Sequence, residues 1–191
     1  MKKKKNNKTI IILADQFYNF LENKHLLLDT SFFLDAVKNK DEFIDFKKHC
    51  KKSQIILVTI DPVAWEFTRG TYGNELSDRL AVMDALVDQY LPINLVDISR
   101  DHVPFLIEKY QRIGSNVSIV DFLLGALARK HSNDLCILTK NPKDFPLSFF
   151  ELKSHLLLNG ENFLQAYGVY SFKQKSFKSS KTKREKDVVP F

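Results

Sequence analysis

Cysteine is scarce: Cys50 and Cys136 are the two in 191 residues, and they stand in unrelated contexts with no C-x-x-C pair. That excludes a disulfide framework and a thiolate zinc site, and it fits a reducing, cytoplasmic compartment. Cys136, set in the apolar run LCILT, reads as a buried thiol. The five histidines show neither H-E-x-x-H nor any other paired spacing, which removes a helical zinc site. Long apolar runs are missing as well. No segment approaches the roughly 20 apolar residues of a membrane helix. The basic start resembles an export signal, but its apolar run extends only from Ile10 to Ala14 before Asp15 intervenes. The expectation is a soluble chain with no membrane partner.

What is plentiful is apolar mass and positive charge. Hydrophobic residues make up 44% of the chain and aromatics 12%, enough for the core of one domain of ordinary size. A net charge of +6 and a pI near 9.2 favour a polyanionic partner, with nucleic acid foremost.

Residues 1–24 read as a basic arm and an N-terminal helix, with Ile10, Leu13, Phe17, Phe20 and Leu21 on one side of a helix over Ile10 to Leu21. Residues 25–172 alternate strand and helix patterns. Strands are expected at Leu26 to Leu28, Ile55 to Thr59, Ile93 to Ile98 (INLVDI), Leu135 to Thr139 and His155 to Leu158, with VYSF as a further edge strand. Helices are expected at about Phe32 to Val37, Glu42 to His49, Asp61 to Arg69 with Pro62 at its start and Gly70 at its stop, Leu76 to Tyr90, the stretch up to Gly114, the apolar FLLGALA stretch, and Phe163 to Tyr167. Residues 173–191 are Lys- and Ser-rich without periodicity, a flexible tail in which Phe172 and Phe177 either sit idle among cations or serve as stacking platforms. Strand and helix in alternation give an α/β fold, a central parallel sheet of four to five strands with helices on both faces.

The segment HLLLDTSFFLDA, His25 to Ala36, has a near copy in HLLLNGENFLQA, His155 to Ala166. Read as one strand-turn-helix unit used twice, the pair differs most at Asp29, which becomes Asn159. Ligands of parallel α/β sheets bind beyond the carboxyl ends of the strands. Asp29 follows the first strand, Glu66 lies one turn past Asp61, and Asp121 stands in S-x-x-D spacing with Ser118 at the start of an apolar helix. Three acids gathered at one rim would repel unless a cation neutralised them, and a hard divalent ion with oxygen ligands does so. Each acid also has a plainer explanation as a helix cap or a surface residue. Trp65 is expected in the core or as a wall behind Glu66. Asp144 is expected to serve as a turn or helix cap.

Four pieces in order, LLLDTSFFLDA, VAWEFTRG, SIVDFLLGALA and LCILTKNPKDFP, resemble the PIN domain, the nuclease fold of VapC-type toxins and of several RNA-processing factors. The likeness runs from about Leu26 to Leu164. It implies a Mg²⁺- or Mn²⁺-dependent endoribonuclease in which Asp29, Glu66 and Asp121 are catalytic and hold the metal. Asn141 stands where the family usually has a fourth acid, and it is expected as a further metal ligand through its amide oxygen, which brings no negative charge. Thr30 and Ser118, beside matched acids, are expected to orient ligands or contact phosphate; Arg69 and Lys140 are expected as phosphate grips. The toxin subtype further implies an antitoxin partner and a homodimer, with RNA as substrate. The competing reading is a catalytically weak or inactive PIN-like module that binds RNA or a protein. A phosphohydrolase of the haloacid dehalogenase type is disfavoured, because the second aspartate it needs is Ser31 here.

Overall fold

The computed structural model describes residues 9–160 and 163–173, so Phe177 and most of the basic tail lie outside the described residues. The strands are β1 (Ile10–Leu13), β2 (His25–Leu28), β3 (Ile56–Thr59), β4 (Gln89–Tyr90), β5 (Leu135–Thr139), β6 (Phe150–Gly160) and β7 (Phe163–Phe172). The helices are α1 (Phe17–Leu21), α2 (Thr30–Ala36), α3 (Lys40–Lys52), α4 (Asp61–Thr68), α5 (Gly73–Leu86), α6 (Leu95–Asp97), α7 (Val103–Arg112) and α8 (Ile119–Lys130).

All seven strands form one sheet in the order β1-β6-β7-β5-β2-β3-β4. Its half comprising β5, β2, β3 and β4 is parallel. The other half is antiparallel, with β7 against β5, β6 against β7 and β1 against β6. Every residue from Leu26 to Leu28 and from Leu135 to Thr139 is buried. Side chains alternate between faces along a strand, so unbroken burial means that both faces of the parallel half are covered. Helices α2 to α5 pack among themselves, whereas α7 and α8 pack on each other and α8 lies against β5 and β7.

The sheet is larger than expected and mixed, and the differences have physical causes. Ile10–Leu13 is not the start of a long helix. Its consecutive isoleucines take extended backbone and pair with Leu156 to Asn159, and the helix is confined to Phe17–Leu21. INLVDI is not a strand either. The Asn94 side chain accepts from the amides of Val96 and Asp97, capping a helical turn, and the edge position goes to Gln89–Tyr90.

The copied segment is the largest correction. His155 to Ala166 does not repeat the strand-turn-helix unit: it lies within a long β6–β7 hairpin, and Phe163–Tyr167 is strand. Tyr167, Val169 and Tyr170 suit an extended chain, and Gly168 admits the Tyr170 ring where a Cβ would collide. VYSF therefore sits inside the sheet, between β6 and β5, not at an edge. Asn159 is a strand residue, so its comparison with Asp29 carries nothing, and the case for Asp29 rests on its own surroundings. Phe172 packs edge-on against Phe105 and Phe150, a core role.

Where the expectations hold, they hold for the anticipated reasons. Helix α4 has Pro62 in its first turn and ends before Gly70, which takes φ +79, the left-handed conformation that glycine supplies at a helix stop. Ser118 caps α8 by accepting from the Asp121 amide.

Candidate active site

The C-terminal ends of β2 and β5 are adjacent, and the chain leaves each with a polar residue. Asp29 follows β2 and is 5% exposed, held in extended backbone at the start of α2. Its Oδ2 accepts two hydroxyls, from Ser31 at 2.7 Å and from Thr139, the last residue of β5, at 2.7 Å. Thr139 Oγ1 in turn accepts from the Asn141 amide at 3.0 Å, so one threonine ties Asp29 to the loop after β5. A buried carboxylate needs such donors, because its charge would otherwise be desolvated without compensation.

Glu66 reaches the same rim from α4, where Thr30 donates to its Oε2. Thr30 therefore orients Glu66 from the residue next to Asp29. Asp121, in the first turn of α8, accepts the Ser118 hydroxyl at 2.6 Å. Burial pushes the Asp121 carboxyl up to about 7; the Ser118 bond pulls the other way, and Asp29, Asp144 and Glu66 push further in the same direction. Asp121 thus feels the charge of three acids from other segments of the chain. Asp144 is raised as well, by burial and then by Asp29, against the pull of Asn141 and Lys143.

Asn141 does not bring the fourth charge, but its amide nitrogen donates to Asp144. A carboxyl group thus stands three residues on, bound to the Asn141 side chain. Asp144 lies in a turn as expected, ending the short helical stretch Pro142–Asp144, whose N-cap position is Asn141. Its carbonyl accepts the Tyr110 hydroxyl at 2.5 Å.

Behind Asp29 lies a second layer that spacing did not disclose. Asp35, on α2, accepts Tyr167 at 2.6 Å and pairs with Lys140 at 2.8 Å. The Tyr167 hydroxyl also lies 3.2 Å from the Ser31 carbonyl. Burial, then the Asp35 carboxylate, hold the Tyr167 phenol well above its ordinary value, so it stays a donor. Lys140 sits where its main-chain amide meets Ser31 Oγ at 3.4 Å, and its ammonium is engaged with Asp35. Arg69 is exposed at the end of α4. Trp65 is neither core nor wall: it is 68% exposed. Val63 and Phe67 take the buried side of α4, and the helical period turns residue 65 away from them.

Among the described residues, no three histidine, cysteine, aspartate or glutamate side chains stand in position to share one ion directly. Each acid is engaged by its own hydroxyl or amide donor. The donor set itself suits a hard divalent ion: all oxygen, anionic and mutually destabilising.

A family model, PIN domain, matches residues 26–145. The chain belongs to the PIN domain family. Its parallel strands and flanking helices are those of a PIN-like fold, a nuclease-type architecture, and the acids at residues 29, 66, 121 and 144 all lie in or at the edge of the matched PIN region. No curated protein matches the chain. Among solved structures it is similar to the crystal structure of TrmN from Thermus thermophilus, at 10% identity and a TM-score of 0.28, over 79% of this chain and 44% of that one. The chain spans less than half of that protein, and a likeness at this score carries no argument. Among the described residues of this PIN domain, no helix is long and apolar enough to cross a membrane.

Proposed function

We propose that this PIN domain is a Mg²⁺- or Mn²⁺-dependent endoribonuclease. What supports the reading is the PIN domain match over residues 26–145, which takes in Asp29, Glu66, Asp121 and Asp144, together with an Asp121 carboxyl raised to about 7 by burial first and then by the other three acids. Asp29, Glu66 and Asp121 would hold the ion, with Asp144 in place of Asn141 as the fourth charge. Mg²⁺ keeps several of its waters, so these carboxyl groups would not all have to meet around one point to hold it. The ion supplies a nucleophilic water at neutral pH and neutralises charge at the phosphodiester.

The chain's own residues do the rest. Ser31 and Thr139 fix the orientation of the Asp29 carboxyl, Thr30 that of Glu66, and Ser118 that of Asp121. Arg69 is free to contact substrate phosphate. Lys140 contributes through Asp35 in the structure as it stands and reaches phosphate only by leaving it. The net charge of +6 draws a polyanion toward a cleft whose own acids would otherwise repel it. Within this reading, the toxin of a toxin-antitoxin pair, with a homodimer, an antitoxin partner and a cytoplasmic site of action, is the narrower proposal.

The test is cleavage of a labelled RNA by the full chain in Mg²⁺. Cleavage should stop with chelator and in Asp29→Ala and Asp121→Ala while both variants remain folded. RNA binding without cleavage, indifferent to chelator, would instead establish the inactive module.

A further inference from the structure

Trp65 is the sole tryptophan of the chain, and it stands 68% exposed beside Glu66. Exposing the largest aromatic side chain on a helix whose neighbours Val63 and Phe67 are fully buried has no packing rationale. Its mount is firm. Thr71 Oγ1 donates to the Thr68 carbonyl at 2.7 Å, Arg79 donates to the Phe67 carbonyl, and the Arg79 guanidinium lies over the Phe67 ring at 5.1 Å, together pinning the end of α4 to α5. Tyr72, at the start of α5 just past that junction, is 84% exposed. Successive helix residues point about 100° apart. With Glu66 turned to the acid cluster, Trp65 therefore faces outward beside it, and Arg69 is one turn further along the same side.

Resting on the nuclease reading, we propose that Trp65 is a base-stacking platform for unpaired RNA. A strand whose phosphodiester lies at the acid cluster passes the end of α4, where Arg69 meets a phosphate and the indole takes the face of the adjacent base. Stacking on an aromatic ring is open to any base, but only to one that is not stacked in a duplex. Trp65 is thereby the residue that distinguishes an unpaired strand from a duplex at this site.

Because Trp65 is alone of its kind, its fluorescence reports on itself. The experiment titrates the full chain, carrying Asp29→Asn to block turnover, in Mg²⁺ with a fluorescently labelled single-stranded RNA and with the same sequence as a duplex. Binding is read by anisotropy of the label and contact by indole emission. The expected result is quenching by the single strand and none by the duplex. Trp65→Ala should weaken single-strand binding roughly ten-fold, and Trp65→Phe should recover most of the loss. In the chain with Asp29 intact, Trp65→Ala should raise KM by a similar factor and leave kcat within about two-fold. Melting temperature should not change, since Trp65 carries little of the core.

Single-strand binding seen by anisotropy with unchanged indole emission would overturn the platform. Asp29-dependent cleavage untouched in Trp65→Ala would overturn it while leaving the nuclease intact. Concentration-dependent quenching without RNA, with a dimer that dissociates in Trp65→Ala, would reassign the ring to an interface between copies of the chain and so overturn it as well. No RNA binding by any variant would overturn the platform and the nuclease reading together.

Discussion

Replacing Asp121 by asparagine should make the metal-free protein more stable at neutral pH and inactive as a nuclease. The native carboxyl titrates near 7 rather than its ordinary 3.8. The native state therefore holds a proton that the unfolded chain has released. The resulting stabilisation is fully present below about pH 4 and is lost as pH rises through about 7. A shift of this size converts at about 1.4 kcal/mol per unit to an upper bound of roughly 4 kcal/mol. Asp121 is only half-buried, and solvent screening brings the expected value nearer 2 kcal/mol. Asparagine keeps an oxygen for the Ser118 hydroxyl and discards the charge that Asp29, Glu66 and Asp144 oppose. Thermal melts in EDTA at pH 5 and pH 8 measure the effect. For a chain of this length, about 2 kcal/mol is roughly 4–8 °C. The variant should melt that much higher than wild type at pH 8, with the gap closing toward pH 5. Equal midpoints at pH 8, or a gap that does not narrow in acid, would refute the reasoning.

Thr139→Val keeps the shape of a fully buried residue and removes one of two hydroxyls from Asp29; urea unfolding should show a loss of about 1–3 kcal/mol, with RNA cleavage falling in parallel. Tyr167→Phe should cost about 1 kcal/mol by the same assay, because Asp35 retains Lys140 as a partner. Asn141→Asp adds a charge beside Asp144, so Mn²⁺ should bind more tightly in calorimetry while the metal-free melting point at pH 8 drops.

The two-residue β4 was lost in the end of an expected helix, but the rest of the parallel half, β2, β3 and β5, was legible because its strands are short apolar runs closed by turn chemistry, as in LLLDT, ILVTIDP and LCILTKN. The hairpin was not. An apolar run such as NFLQAYG fits either period, and what decides for strand is pairing with β5 and β6, which no local pattern announces. β1 was hidden in the same way, since its partner strand lies at the far end of the chain. At the site, Asp29, Glu66 and Asp121 stood out as acids at strand and helix ends, and the resemblance gave them roles. Thr30 and Ser118 stood out beside them, but the supports from more distant segments did not. Thr139 is 110 residues from Asp29, and Tyr167 is 132 from Asp35, so these bonds leave no periodic trace. The one signal available was type: a threonine ending a buried strand and a tyrosine among small residues need partners once buried. Trp65 was misjudged on its size, where the helical period with Val63 and Phe67 already turned it outward.

The most direct test of the central claim is calorimetric titration of Mn²⁺ into the full-length, chelator-stripped protein at pH 8, beside Asp29→Ala and Asp121→Ala. Saturable binding to wild type, weakened at least ten-fold in each variant, is the result expected if these acids jointly hold the ion. Equal binding by all three proteins, or none by wild type, would contradict it.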